Sequence, residues 1–452
     1  MRARSWWFLV VLCLLPRAVG LFVNREANDD HIQVVELWLE HGHYPDERAC
    51  WECFQPPLYT TIQYSIARSL ALNDRDDLIG IAHGINFCIS VAILGMLAWQ
   101  IQQMKLRLLW QVTLFLFFAL NPKLMAINIQ ATNDTLVIAL SMAALHLLRV
   151  TIRSFKPRNL VCLWCIVLLA GITKGNGLVL VVGVCLFVSL LTTMHADCSL
   201  VDKTIILTLF LISLPIAVSE MGHYYEHYER NGTPFSINQP KAPSASFLSY
   251  DGFAGKRLGV RSISDSLLTF RFVNLLQYPS TGGSGEWYPE HRTSFWTLLY
   301  GQAYHSQFEY YPPSWRSQSP VVDWVARALY VLGLAPAAML ACGMAIQIRH
   351  GASMIRTVDV NAAMETWLYP VFSLAFVVFL VKYSLDYRDY ANTKLIFLFP
   401  VLPAAISFVG ESIDSLDKRC IECGVLSVIL VMIVGFVANF GLLILTLTQT
   451  AP

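Results

Sequence analysis

The chain has 452 residues, 55% of them hydrophobic and 14% charged, with a formal net charge of +1 at pH 7. A mean hydropathy of +0.51 is too high for an ordinary soluble protein and fits a polytopic membrane protein. The near-neutral balance, with no concentrated basic face, excludes nucleic acid as a partner.

Apolar runs able to cross a hydrocarbon core of ~30 Å fall near residues 6–23, 78–103, 108–122, 134–150, 159–173, 177–193, 203–219, 322–347, 366–383, 395–410 and 423–447. They predict an all-α bundle of about eleven transmembrane helices. The first run, opened by Arg2 and Arg4 and closed by Pro16-Arg17-Ala18-Val19-Gly20, reads as a cleaved signal peptide or as a retained helix, because the apolar stretch resumes through Val23. Basic joints at Lys105 and Arg107, at Arg149, Arg153, Lys156 and Arg158, and at Lys203, Arg349, Arg356, Lys418 and Arg419 share the side of Arg2 and Arg4. By the positive-inside rule that side is cytoplasmic.

The opposite, lumenal or periplasmic side receives residues 24–77, the turns near 123–133 and 174–176, the block 220–321 and residues 384–394. Residues 1–452 thus read as a single integral membrane domain with two excursions, 24–77 and 220–321, the second long enough to form a cap. Two sequons, Asn133-Asp134-Thr135 and Asn231-Gly232-Thr233, fall on this side and make Asn133 and Asn231 candidate glycan carriers. Cys50 and Cys53 fall there too and are disulfide candidates. The other close pairs, Cys162/Cys165 and Cys420/Cys423, lack the two further ligands of a zinc site.

In the first excursion, Ile32, Val35, Leu37, Trp38 and Leu39 fall largely on one side of a helix with Gln33, Glu36 and Glu40 on the other, and Gly42 ends it. Such a helix lies along the membrane surface with Asp29 and Asp30 at its N-terminal end, where carboxylates cap a helix or stand ready for chemistry. Residues 54–72, opening Gln55-Pro56-Pro57-Leu58-Tyr59, predict a second interfacial helix.

Further along, Asp134 lies at the outer end of a span, as a helix cap or as a contact to an acceptor or a divalent metal ion. Lys174 and Arg388 are outer-side cations, suited to a phosphate or equally to snorkelling or pairing with Asp386 or Asp389. The run Gly285-Glu286-Trp287-Tyr288-Pro289-Glu290-His291-Arg292 combines aromatic faces with hydrogen-bonding groups, as a sugar or peptide contact or as packing within the cap. His31, His291 and His305 show no metal-ligand spacing, so the residues assign no cofactor.

Five motifs in this order resemble the GT-C superfamily of membrane glycosyltransferases, in the branch of protein O-mannosyltransferases and lipid A aminoarabinose transferases. They are Asn28-Asp29-Asp30-His31, Phe54-Gln55-Pro56-Pro57-Leu58-Tyr59, Asn121-Pro122 with Asn133-Asp134, Thr173-Lys174-Gly175-Asn176-Gly177, and Tyr387-Arg388-Asp389-Tyr390 through Pro400 and Pro403. Asp30 stands where that branch has Glu, and Gln55 where His or Lys is more common. The resemblance implies a GT-C-like bundle that moves a hexose, mannose being the best guess, from a dolichyl or polyprenyl phosphate to a protein or glycolipid acceptor. It implies Asp29 as base with Asp30 beside it, since glycosyl transfer needs a carboxylate to take the acceptor proton. The chemistry of the residues offers Lys174 and Arg388 to the leaving phosphate, with His31, Gln55, Tyr59, Asp134, Glu286, Trp287, His291 and Arg292 toward substrate or acceptor. An endoplasmic reticulum membrane is expected, a bacterial inner membrane being the alternative. Competing expectations are a transporter or flippase, which needs charges inside its spans, and a catalytically inactive scaffold of the same fold.

Overall fold

The computed structural model describes residues 3–27, 31–194, 199–232, 263–279, 294–305, 320–356, 360–387, 394–416 and 419–450. The sequence expectations for Asp29, Asp30, Glu286, Trp287, His291, Arg292 and Arg388 lie outside these residues. The described secondary structure is helical: α1 (Ala3–Val23), α2 (His31–His41), α3 (Leu58–Leu70), α4 (Arg75–Gln102), α5 (Leu108–Ala119), α6 (Pro122–Ile127), α7 (Asp134–Arg153), α8 (Pro157–Gly171) and α9 (Gly177–Met194). After them come α10 (Leu200–Met221), α11 (Tyr224–Asn231), α12 (Ile263–Leu268), α13 (Phe272–Gln277), α14 (Phe295–Tyr304), α15 (Pro320–Leu332), α16 (Leu334–Arg356) and α17 (Val360–Tyr387). A 3-10 stretch (Leu395–Val401) leads into α18 (Leu402–Asp414), and α19 (Arg419–Thr450) completes the described chain.

Among the described residues, nine helical segments are long and apolar enough to cross a membrane, with α15 and α16 counting as one segment that bends at Gly333. The chain is an all-α polytopic membrane protein. The two remaining expected spans are short helices, α5 with 12 residues and α8 with 15. At 1.5 Å per residue they reach about 18 and 22 Å. The first is cut short because Pro122 has no N–H to continue the ladder, while the Asn121 side chain accepts from the backbone N–H groups of Lys123 and Leu124 and so starts the separate α6.

Burial runs against the pattern of a soluble protein. Trp7, Phe8, Phe22, Leu200, Val201 and Val434 are exposed, as expected where lipid replaces water. The interior holds two large apolar clusters. One draws on α1, α4, α5, α6, α15, α18 and α19, the other on α8, α9, α10 and α17, and α7 contributes to both, with Ile138 and Met142 in the first and Leu145 and Leu148 in the second. Its first residue, Asp134, is thereby held at one end of the seam between them.

The N-terminal run packs as a helix of the bundle, with Trp6, Val10 and Cys13 in the first cluster. Arg17, fully buried, donates to the carbonyls of Cys13 at 2.8 Å and Ala119 at 2.6 Å, so its charge serves the orphan carbonyls at the end of α5. Beyond it, the Asn24 amide donates to Ile129 O, and Ala131 N to Ala27 O, strapping the segment after α1 to the loop before α7.

Three of the basic residues expected on one side are held in ion pairs near the ends of α5, α7, α17 and α19. Arg149 and Arg153 both bind Glu365, and Arg107 binds Glu422. α2 and α3 are packed on the start of α4 through Ile32, Val35, Ala67, Leu78 and Ala82. As expected, Gly42 closes α2 with a φ of +75°, which glycine adopts without strain.

α16 and α18 approach through a glycine, as helices in lipid commonly do. A Cβ on Gly343 would lie 1.7 Å from the carbonyl oxygen of Phe408, whereas one on Gly95 of α4 meets nothing within 4 Å. Gly343→Ala is therefore expected to lower the melting temperature in detergent, at a cost of about 1–3 kcal/mol or more. Gly95→Ala should leave it unchanged or slightly raised; equal melting of the two variants would contradict this packing.

Candidate active site

The helix ends beside α2 and α3 are fastened by side chains that reach backbone groups of neighbouring segments. Asn86 of α4 donates to the carbonyls of Gln130 and Thr132, and Thr135 to Ile127 O, so the loop before α7 is rigidly placed. Thr132 caps α7: its hydroxyl accepts from Asp134 N and donates to Asp134 Oδ2 at 3.0 Å. Asn133 donates from its amide to Thr173 O, which joins this corner to the end of α8. Tyr224 of α11 donates to Gly171 O, two residues before, and Leu58 N donates to Ile172 O, bringing in the start of α3.

The turn after α8 then presents Lys174, whose Nζ lies 2.7 Å from Asp134 Oδ1, both side chains being nearly buried. The same ammonium sits 5.6 Å from the centre of the Phe397 ring, within cation–π range. His31, at the start of α2, packs its ring edge-on to Tyr59 of α3 at a centroid distance of 6.1 Å. Burial pulls the His31 pKa below its usual 6.5, and the charges of Glu52, Lys174, Asp134 and Lys394 all act on it. His31 is therefore a neutral imidazole near pH 7. Glu52 is held by the Gln55 amide at 3.1 Å, and the Gln55 carbonyl accepts from the Tyr44 hydroxyl. Lys394 immediately precedes the 3-10 stretch, whose first amide, Leu395 N, donates to the Gln302 side chain of α14.

The structure thus brings together His31, Gln55, Tyr59, Asp134 and Lys174 from the sequence expectations. It changes the reading of two of them: Lys174 pairs with Asp134 rather than with Asp386, which instead bonds Lys382 one turn earlier on α17. Roles expected to be separate, one on phosphate and one on acceptor, meet in a single ion pair. Sequence reasoning passed over Glu52 and Lys394. The only signal for Glu52 was its place between the two cysteines, and for Lys394 its place just ahead of an apolar run. Among the described residues no group of three His, Cys, Asp or Glu side chains could hold a metal ion.

Cys50 and Cys53 are joined in a disulfide, and the loop around it is clamped to α11. His227 Nε2 lies 3.2 Å from Glu47, Arg230 pairs with Asp46, and the Asn231 side chain binds both Glu47 and Arg48. The two sequon asparagines differ accordingly. Asn231 lies near the surface within this clamp, while Asn133 is buried and spends its amide on Thr173 O, an arrangement that leaves a glycan no room in the folded protein.

No protein-family model matches the chain. Nor does a curated protein. Solved structures do. The Saccharomyces cerevisiae protein O-mannosyltransferase Pmt1-Pmt2 complex bound to the sugar donor is similar over 55% of this chain and 36% of that one, at 12% identity and a TM-score of 0.36. The Archaeoglobus fulgidus oligosaccharyltransferase tethered with an acceptor peptide is similar over 99% of this chain and 55% of that one, at 11% identity and a TM-score of 0.46. ArnT from Cupriavidus metallidurans bound to undecaprenyl phosphate covers 91% of this chain and 78% of its own, at 13% identity and a TM-score of 0.36. The chain spans 36% and 55% of the length of the first two.

Breaking a buried ion pair strands one charge, at about 3–5 kcal/mol, whereas removing both charges leaves neither stranded. Asp134→Asn and Lys174→Met are each expected to lower the melting temperature in detergent markedly, and the double variant by less than the sum. Strict additivity would mean that the two side chains do not pair.

Proposed function

We propose that the chain is a glycosyltransferase that moves a hexose, mannose first, from a dolichyl or polyprenyl phosphate to a hydroxylated acceptor. The observation that carries this reading is Lys174: a nearly buried ammonium, fixed by Asp134, at the end of the spans and beneath the interfacial helices α2 and α3. A lipid-linked phosphate arrives at that depth, with its chain in the bilayer and its charge at the interface. Asp134 offsets one charge but leaves the ammonium N–H donors to spare, and Lys394 acts on the same site.

In this reading the acceptor oxygen attacks the anomeric carbon as the bond from that carbon to the phosphate oxygen breaks. The acceptor proton passes to a carboxylate, and the carrier leaves as a phosphate whose charge Lys174, Lys394 and Arg388 stabilise. Asp29 is the proposed base, with Asp30 beside it. The residues that flank the pair support this: Ala27 is bonded to Ala131, three residues ahead of Asp134, and His31 feels both Asp134 and Lys174. Neutral His31 with Tyr59 would orient the acceptor.

A lumenal or periplasmic face is supported by the Cys50–Cys53 disulfide at this end of the bundle and by Arg107, Arg149 and Arg153 at the other. In proteoliposomes supplied with radiolabelled dolichyl-phosphate mannose and a hydroxylated acceptor, the wild type should transfer sugar, and Asp29→Asn should lose on the order of 10²- to 10⁴-fold in rate. Transfer that survives Asp29→Asn undiminished would remove Asp29 from the chemistry, and no transfer from any lipid-phosphate sugar would remove the reading itself.

A further inference from the structure

The α3 face that carries Tyr59 continues one turn on to Gln63 and another to Ala67. Tyr59 meets His31, and Ala67 packs with Ile32, Ala82 and Ala131, so this face lines the wall between α2 and the loop before Asp134. Gln63 is 2% exposed, yet neither its Oε1 nor its Nε2 has a hydrogen-bond partner among the described residues. A second carboxamide shares the property. Asn176, also 2% exposed with both amide atoms unbonded, sits in the turn that Gly177 N closes on Lys174 O at 2.8 Å.

An unbonded buried amide costs roughly 1–3 kcal/mol. One of them two residues from the buried Lys174, and the other one turn along α3 from the Tyr59 that meets His31, make sense where a ligand completes them. The chemistry of that ligand follows from the groups. A carboxamide is uncharged and both donates and accepts, so a phosphate, which only accepts when ionised, would leave its oxygen idle. A hydroxyl satisfies both atoms. A carboxylate or ammonium on the ligand would find no opposite charge in either amide.

We infer that Gln63, assisted by Asn176, recognises hydroxyl groups of an uncharged glycosyl unit carried on the phosphate at Lys174. The site selects a neutral hexose over a uronic acid or an amino sugar. This rests on the glycosyltransferase reading and deepens it, because it assigns the sugar-reading side chains and the class of sugar they accept. Gln63 is a specificity residue here and takes no part in proton transfer.

The test is binding of two lipids to the full-length protein in nanodiscs: polyprenyl phosphate, and polyprenyl-phosphate mannose. Wild type should bind the mannosylated lipid more tightly. Gln63→Leu, with Gln63→Met as a second near-isosteric variant, should bind it roughly five- to tenfold more weakly while binding the bare lipid as wild type does. Both variants should melt at or above the wild-type temperature, since an apolar side chain relieves the unbonded amide; a purely structural glutamine would give the reverse. Equal effects on the two lipids, or none, would overturn the inference while leaving a lipid-phosphate site in place. Failure of the wild type to bind either lipid would overturn the functional reading and this inference together.

Discussion

A lysine and an aspartate, nearly buried and 2.7 Å apart, hold one end of the helical bundle in order. Two charges drawn from water at a membrane surface are costly unless each has its partner, so Lys174 and Asp134 cannot drift independently. That constraint fixes the turn after α8 against the start of α7, forty residues away in sequence. Every neighbouring fastening reinforces the same corner, from the Thr132 cap to the Asn133–Thr173 bond, the Asn86 clamp and the anchoring of α3 on Ile172.

A pair of this kind is a poor way to gain stability and a good way to aim a cation. An apolar pair of the same volume would pack as well without the desolvation cost. What the ion pair supplies is an ammonium of fixed position, with donors left for an anion and an aromatic ring at its back. The surrounding polar groups extend the same pattern: a neutral imidazole, a glutamate held by its neighbouring glutamine, and carboxamides with unspent bonding capacity. They lie at the end of the bundle where α2 and α3, too short to span, pack on the start of α4.

Much of the fold was legible in the chain because the bilayer demands long apolar runs, and those runs coincide with the helices found. The interfacial helices were legible from the Gly42 stop and from the Pro-Pro step before Leu58. The premature end of α5 was harder to see, since Asn121-Pro122 sits inside an unbroken apolar run and only the cap geometry separates α5 from α6. Arg17 shows the same limit: it reads as a flank of a signal-like segment, but in the fold it serves carbonyls on two helices. The candidate site was legible residue by residue and not as a constellation. Asp134 and Lys174 could each be suspected from a helix end, but their pairing is a tertiary fact, and nothing local in Glu52, Gln63 or Lys394 marks them as neighbours of His31.

In the proposed function Lys174 is aimed at a lipid-borne phosphate. An experimental density map of the protein in nanodiscs containing polyprenyl phosphate examines that claim most directly. The phosphate is expected within hydrogen-bonding distance of Lys174 Nζ, under α2 and α3, with the isoprenoid chain descending into the bilayer. A head group seated at the opposite end, beside Arg149 and Arg153, or a Lys174 shielded from every lipid, would contradict it.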